Sequence, residues 1–157
     1  MSSTITGADE RFAALDPNLS APSGPDATVC AVIRDGSTLY LSGQVAFVGS
    51  DLLAVGRLGD DVDIETGQAC ARQCAINLLG RIQEELGSLE NVRQILKLTV
   101  FVGSAEGFRD QPKVANGASQ VFRDVLGDAG RHARSAIGVA ELPLGTPVEV
   151  EVVVSAA

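Results

Sequence analysis

The sequence has no tryptophan, one tyrosine, one methionine and one histidine. So few rings supply poor stacking platforms for single-stranded nucleic acid. The one histidine, His132, rules out most zinc-site patterns and leaves a Ser-His-Asp triad a single candidate base. After the Gly130-Arg131 turn it reads as a surface residue that titrates near neutrality. Cysteines are few and odd in number: Cys30, Cys70 and Cys74. Cys70 and Cys74 fall one helical turn apart, which suits one helix face better than a disulfide, and all three read as small buried thiols. No apolar run approaches the ~18 residues of a membrane-spanning helix. The N-terminal MSSTITGADERF lacks the basic-then-apolar order of a secretory signal. A cytoplasmic protein without membrane association is expected. GxSxG, GxxxxGKS/T and GxGxxG are absent, which argues against a nucleophile elbow and against nucleotide cradles.

Positive charge is also scarce. Twelve Lys and Arg face 20 Asp and Glu, a formal net charge of -8. The basic residues are scattered, so a phosphate backbone meets repulsion and no basic stripe; nucleic acid is not an expected partner. What the chain has is apolar content: 157 residues, 45% hydrophobic and 20% charged, enough to bury the core of one domain of common size.

Residues 1–26 read as an N-terminal extension with a short helix over 4–15, followed by a Pro, Ser and Gly-rich lead-in. Residues 27–157 read as a single α+β domain. Thr28–Arg34 and Thr38–Ser42 form a hairpin around Asp35-Gly36. Gly43-Gln44 interrupts it as a bulge, and Val45–Val48 continues as a bent strand. A 3.6-residue apolar stripe (Ala71, Cys74, Ala75, Leu78, Ile82, Leu86) predicts a helix over Ile64–Leu86, capped by Asp63 and ended by Gly87. In Val92–Val102, Leu96, Leu98, Val100 and Val102 face one way and Lys97, Thr99 and Phe101 the other. A second helix covers about Asp110–Val125, with Asn116-Gly117 as poor helix formers inside it. Ala133–Val139 and Pro147–Ser155 are the last two strands. The order predicts a mixed sheet with both helices on one face. The other face, with Ile95, Thr99, Phe101 and Val153, is only partly polar. Such a face meets another subunit, so a homo-oligomer is expected.

The residues able to carry chemistry concentrate at the C-terminal end. If the last two strands pair, Glu149 or Glu151 lies near Arg134. The plain structural reading is an ion pair at a sheet edge, worth at most about 1 kcal/mol. The functional reading is a guanidinium fork holding a substrate carboxylate beside a glutamate that acts on water.

The stretches LSGQ (41–44), KLTVFV (97–102), ARS (133–135), AELP (140–143) and VEVEVV (148–153), with Gln73–Asn77 in the first helix, resemble the RidA (YjgF) family of reactive intermediate deaminases. The resemblance covers residues from about 27 to the end and looks like a divergent branch. It implies a chorismate-mutase-like fold and a homotrimer whose sheets form a barrel, with clefts between subunits. It also implies hydrolysis of reactive enamines or imines, such as 2-aminoacrylate, to a keto acid and ammonia, with no metal or organic cofactor. By motif, Arg134 would bind the carboxylate of a small metabolite and Glu149 would orient or activate water. Ser42, Gly43, Gln44, Asn116 and Ala136 would line the pocket. The chain departs from the pattern at three places. Thr28 stands at the family's tyrosine position, Ala136 where a cysteine is common, and Gly138 where an acidic residue is common. The alternative is a non-catalytic trimer that binds small carboxylates. A ribonuclease reading, also attached to the family, sits badly with the acidic charge.

Overall fold

The computed structural model describes residues 7–21 and 28–157. The Gly24-Pro25-Asp26 segment and the first residues of the expected N-terminal helix lie outside them. The described part of that helix, α1, is Ala8–Ala13; it buries Ala8 and Phe12.

β1 (Val32–Asp35) and β2 (Thr38–Val45) form the expected hairpin, with Gly36 at φ +59 in the turn. β1 is shorter than the sequence pattern suggests. β2 runs through Gly43-Gln44 rather than stopping there, and its register against the neighbouring strand slips between Leu41 and Gln44. The chain then bends at the fully buried Ala46 into a small separate ribbon, β3 (Phe47–Val48) with β4 (Asp51–Leu52).

α2 is Ile64–Leu86. Asp63 accepts the Thr66 N–H at 2.8 Å, and Gly87 takes the left-handed conformation at φ +77 that lets the helix end there. β5 is Val92–Gly103, α3 is Gln111–Leu126, β6 is Ala133–Val139 and β7 is Val148–Ala156. The sheet order is β1-β2-β7-β5-β6, with β5 and β6 parallel and the other pairs antiparallel. This is the α+β, mixed-sheet architecture expected, with α2 and α3 on one face. Val148, Val150, Val152 and Val154 of β7 all point into that layer and are 1% exposed or less. At about 1.5–3 kcal/mol for each fully buried aliphatic side chain, this strand is a principal source of stability.

Two expectations are corrected. The last two strands do not pair: β5 lies between them. The physical reason is the connection. β5–α3–β6 is a crossover that lays β6 parallel on the free edge of β5. Residues 140–147 contain two prolines and a 3-10 turn, and cross the sheet end instead of making a tight hairpin. The second correction concerns the face of β5. Leu98, Val100 and Val102 are buried as expected, but Leu96 is 41% exposed and Ile95 is buried. Register slips at Val92/Gln94 and Ile95/Lys97 break the strict alternation that would have placed them otherwise.

Candidate active site

Arg134 sits on β6 opposite Leu98 of β5, and Leu98 lies opposite Val152 of β7. Leu98 and Val152 face the helices, so Arg134 leaves the sheet on the helix side, at its edge. Its Nη1 donates to Asn116 Oδ1 at 2.9 Å and to Ser119 Oγ at 3.0 Å, and its Nη2 to the Pro112 carbonyl at 3.5 Å. All three acceptors belong to α3. Among the described residues Nε makes no hydrogen bond. Nε and one of the two Nη2 hydrogens are therefore left for a second partner.

The position of α3 depends on Gly117. A Cβ there would stand 2.2 Å from the Gln68 carbonyl oxygen of α2. Only glycine allows this crossing, which explains a poor helix former in the middle of an unbroken helix. α3 runs through Asn116-Gly117 without a break. A groove of about 400 Å³ opens on the outer side of the crossing, lined by Gln68, Arg72, Asn116, Gly117, Gln120 and Asp124 among others.

Glu149 occupies the opposite face. It lies across from Phe101 on β5 and Val45 on β2. Its carboxylate is folded over the bulge: a Cβ on Gly43 would stand 2.1 Å from Glu149 Oε1. Partial burial, and then the charge of Glu151, push its carboxyl above the usual glutamate range. Ser42 Oγ donates to the Cys30 carbonyl at 2.7 Å. Gln44 turns back on the main chain, donating to the Gly43 carbonyl at 3.3 Å, and accepts from Ser20 Oγ at 3.5 Å. The bulge is held from the helix layer by Asn77, 1% exposed, which donates to the Val45 and Phe47 carbonyls at 3.2 and 2.9 Å. Gln73 donates to the Phe47 carbonyl at 2.9 Å.

The structure thus gathers the candidates into two groups. Arg134 and Asn116 are joined directly, and Ala136 lies two residues along the same face of β6. Glu149 and Gly43 are joined on the other face, with Ser42 and Gln44 beside them. Within one chain the arginine and the glutamate are not brought together, which corrects the expectation of an adjacent pair.

Two groups were missed from sequence. Ser119 and His132 stand behind Arg134: Ser119 Oγ is 2.9 Å from His132 Nε2. His132 is half-buried rather than a free surface residue. Its position two residues before the arginine is the one sequence signal that places it at this site. Gln111 and Ser104 fill the space above Gly138, where a Cβ would stand 2.7 Å from Gln111 Nε2 and 3.1 Å from Ser104 Oγ. Cys70 and Cys74 are buried as expected, whereas Cys30 is exposed. Among the described residues no group of three or more His, Cys, Asp or Glu stands close enough to hold a metal ion. Nor is any of their helices long and apolar enough to cross a membrane.

Residues 17–154 match the family described as "YjgF/chorismate mutase-like, putative endoribonuclease", and the chain belongs to that family, the RidA family of the sequence resemblance. It is 40% identical over 137 residues to protein TCP17 of Trypanosoma cruzi, covering 87% of this chain and 86% of that one. It is 27% identical over 139 residues to the 2-iminobutanoate/2-iminopropanoate deaminase of Dermatophagoides farinae, covering 88% and 91%. Its fold matches a solved protein of unknown function from Agrobacterium tumefaciens with a TM-score of 0.86 at 35% identity, covering 95% of this chain and 91% of that one.

Proposed function

We propose that the protein hydrolyses small imines and enamines of amino acids, of the 2-aminoacrylate type, to a keto acid and ammonia. The site is a cleft between copies of the chain, in which Arg134 of one copy meets Glu149 of another. The observation that carries this reading is the state of Arg134. Three acceptors on α3 hold its guanidinium, and Nε with one Nη2 hydrogen is left to donate to a carboxylate.

The chemistry needs little more. An enamine takes a proton at carbon to become the imine, whose C=N carbon is already electrophilic. Water adds to that carbon, a proton moves to nitrogen, and the C–N bond breaks. The carbonyl forms as ammonia leaves. A carboxyl raised above its usual range is suited to take the proton from water and return it to the departing nitrogen. Holding the substrate carboxylate and one water in place supplies the rest.

A contact between copies is supported by the face that carries Glu149. Tyr40 and Ile137 on it are 51% and 45% exposed, and Phe101 and Val153 lie among them. We take the assembly to be a homotrimer with the three sheets closed into a barrel, and residues 27–157 to be its repeating domain. The name of the Dermatophagoides relative supports the reaction class.

A second reading is a trimer that binds small carboxylates without turnover. The filled space at Gly138 favours it, since Gln111 and Ser104 stand where the family commonly places an acidic side chain. The deciding experiment generates 2-aminoacrylate in situ and follows keto-acid release, with Arg134→Ala as control. The proposal predicts acceleration that the control lacks. Equal rates for both would refute it. Thermal stabilisation by keto acids without acceleration would select the second reading.

A further inference from the structure

Behind the Arg134 guanidinium lies a chain of hydrogen bonds whose direction the chemistry fixes. His132 Nδ1 is 2.7 Å from the Gly130 carbonyl oxygen. A carbonyl only accepts, so Nδ1 carries a proton. Burial and the neighbouring Arg134 charge hold the imidazole below its ordinary pKa, against the opposing effect of the Gly130 bond. The ring is therefore neutral near pH 7 and Nε2 is an acceptor. Ser119 Oγ, 2.9 Å away, donates to it. With its one proton committed, Ser119 Oγ presents only lone pairs in the other direction, where Arg134 Nη1 stands at 3.0 Å. Each link is the sole polarity the next one permits.

Three separate features hold this chain in place. Ser119 is on α3, which Gly117 seats against α2. Gly130 closes the turn after α3, where a Cβ would stand 2.0 Å from the Phe122 carbonyl oxygen. The Phe122 ring meets the imidazole edge-on, with centroids 6.1 Å apart and planes at 72°. The imidazole thus has a packed side, a fixed donor and a fixed acceptor.

We propose that His132 and Ser119 are positioning residues: they form a polarised relay that orients the Arg134 fork for carboxylate capture. Asn116 also accepts from Nη1, so the relay sets orientation and does not by itself retain the arginine. This inference rests on the reading of Arg134 as the carboxylate clamp.

The test uses the 157-residue chain, four relay variants and Arg134→Ala as the reference. Ser119→Ala and His132→Phe break the relay; Ser119→Thr keeps the hydroxyl, and His132→Gln keeps an acceptor near Nε2. The probes are calorimetric binding of 2-oxobutanoate and turnover of 2-iminobutanoate generated in situ. Nitrogen NMR of the histidine and arginine side chains reads the relay directly. Each broken variant should weaken 2-oxobutanoate binding about tenfold, one hydrogen bond to a charged group, and raise KM more than it lowers kcat. The conservative variants should recover most of that loss. NMR should show a neutral imidazole protonated at Nδ1, and a guanidinium signal that Ser119→Ala broadens.

An imidazole protonated at Nε2 would overturn the relay. So would broken variants that bind as wild type does while Arg134→Ala does not. If wild type neither binds nor turns over, the clamp reading fails instead. The tautomer and the guanidinium signal then still decide the relay: an unchanged signal in Ser119→Ala overturns it.

Discussion

Replacing Gly117 with alanine sets two effects of opposite sign against each other. In an exposed helix interior the change stabilises by about 1 kcal/mol, since alanine is the best helix former and glycine a poor one. Here the new methyl would stand 2.2 Å from the Gln68 carbonyl oxygen and 2.9 Å from its carbon, where ordinary contact begins at 3.4 Å. Both are backbone atoms of a 23-residue helix, so no side chain can swing away. The helices must separate by roughly 1 Å, in a layer where Ala71, Val114 and Ala118 are fully buried. Overpacking of this kind costs about 1–3 kcal/mol, and a backbone obstacle belongs at the upper end. The net expectation is a loss of about 2 kcal/mol. With a urea slope near 2 kcal/mol/M, the midpoint should fall by about 1 M. The assay is urea denaturation of both proteins at one fixed concentration, because an oligomer's stability depends on it. A midpoint equal to wild type, or higher, would refute the view that this crossing is locked by glycine. The same separation displaces Asn116 and Ser119 relative to Arg134, so binding of 2-oxobutanoate should weaken in parallel.

Other substitutions separate folding from function. The three atoms nearest a Cβ at Gly43 all belong to the Glu149 side chain, so the urea midpoint of Gly43→Ala should move by less than about 0.5 M while turnover falls at least roughly tenfold through displacement of the carboxylate. A loss of stability as large as that of Gly117→Ala would contradict this. His132 has its folded pKa depressed, first by burial. Its contribution to stability is then present above the ordinary histidine pKa and is lost as pH falls through the folded value. Urea midpoints for His132→Gln should vary less with pH than wild type across that window, and parallel curves would count against it. Of the three thiols, burial pushes Cys70 up to about 11 and raises Cys74 as well, while Cys30 is exposed. A thiol reagent should label one cysteine quickly in the native protein, none in Cys30→Ala, and the other two only on unfolding.

Much of this was legible in the sequence, for identifiable reasons. The 3.6-residue stripe, Asp63 and Gly87 fixed α2 at both ends because periodicity and caps are local. The alternation of Val and Glu in 148–154 gave the two faces of β7 for the same reason. Alternation says which face a residue takes, not which strand lies beside it. That is why Arg134 and Glu149 read as neighbours on paired strands, although β5 lies between them and they leave the sheet on opposite sides. Leu96 and Ile95 exchanged faces because a register slip leaves no trace in residue type. The role of Gly117 rests on Gln68, which approaches it only through tertiary packing, and that of His132 on Gly130 and Ser119 together. The family resemblance named Arg134, Glu149 and Asn116 without their geometry. The structure adds that one chain holds these residues in two separate groups, on opposite faces of the sheet.

That division leads to the most direct test. Arg134→Ala and Glu149→Gln each remove one half-site. Each alone should lower kcat/KM for 2-iminobutanoate by roughly 100-fold or more, the worth of charge-assisted contacts at about 1.5–3 kcal/mol each. Unfolded together in equal amounts and refolded as mixed assemblies, they should regain about one quarter of wild-type activity, since random pairing leaves one interface in four with both residues intact. A mixture no more active than the separate variants would contradict a site shared between neighbouring copies.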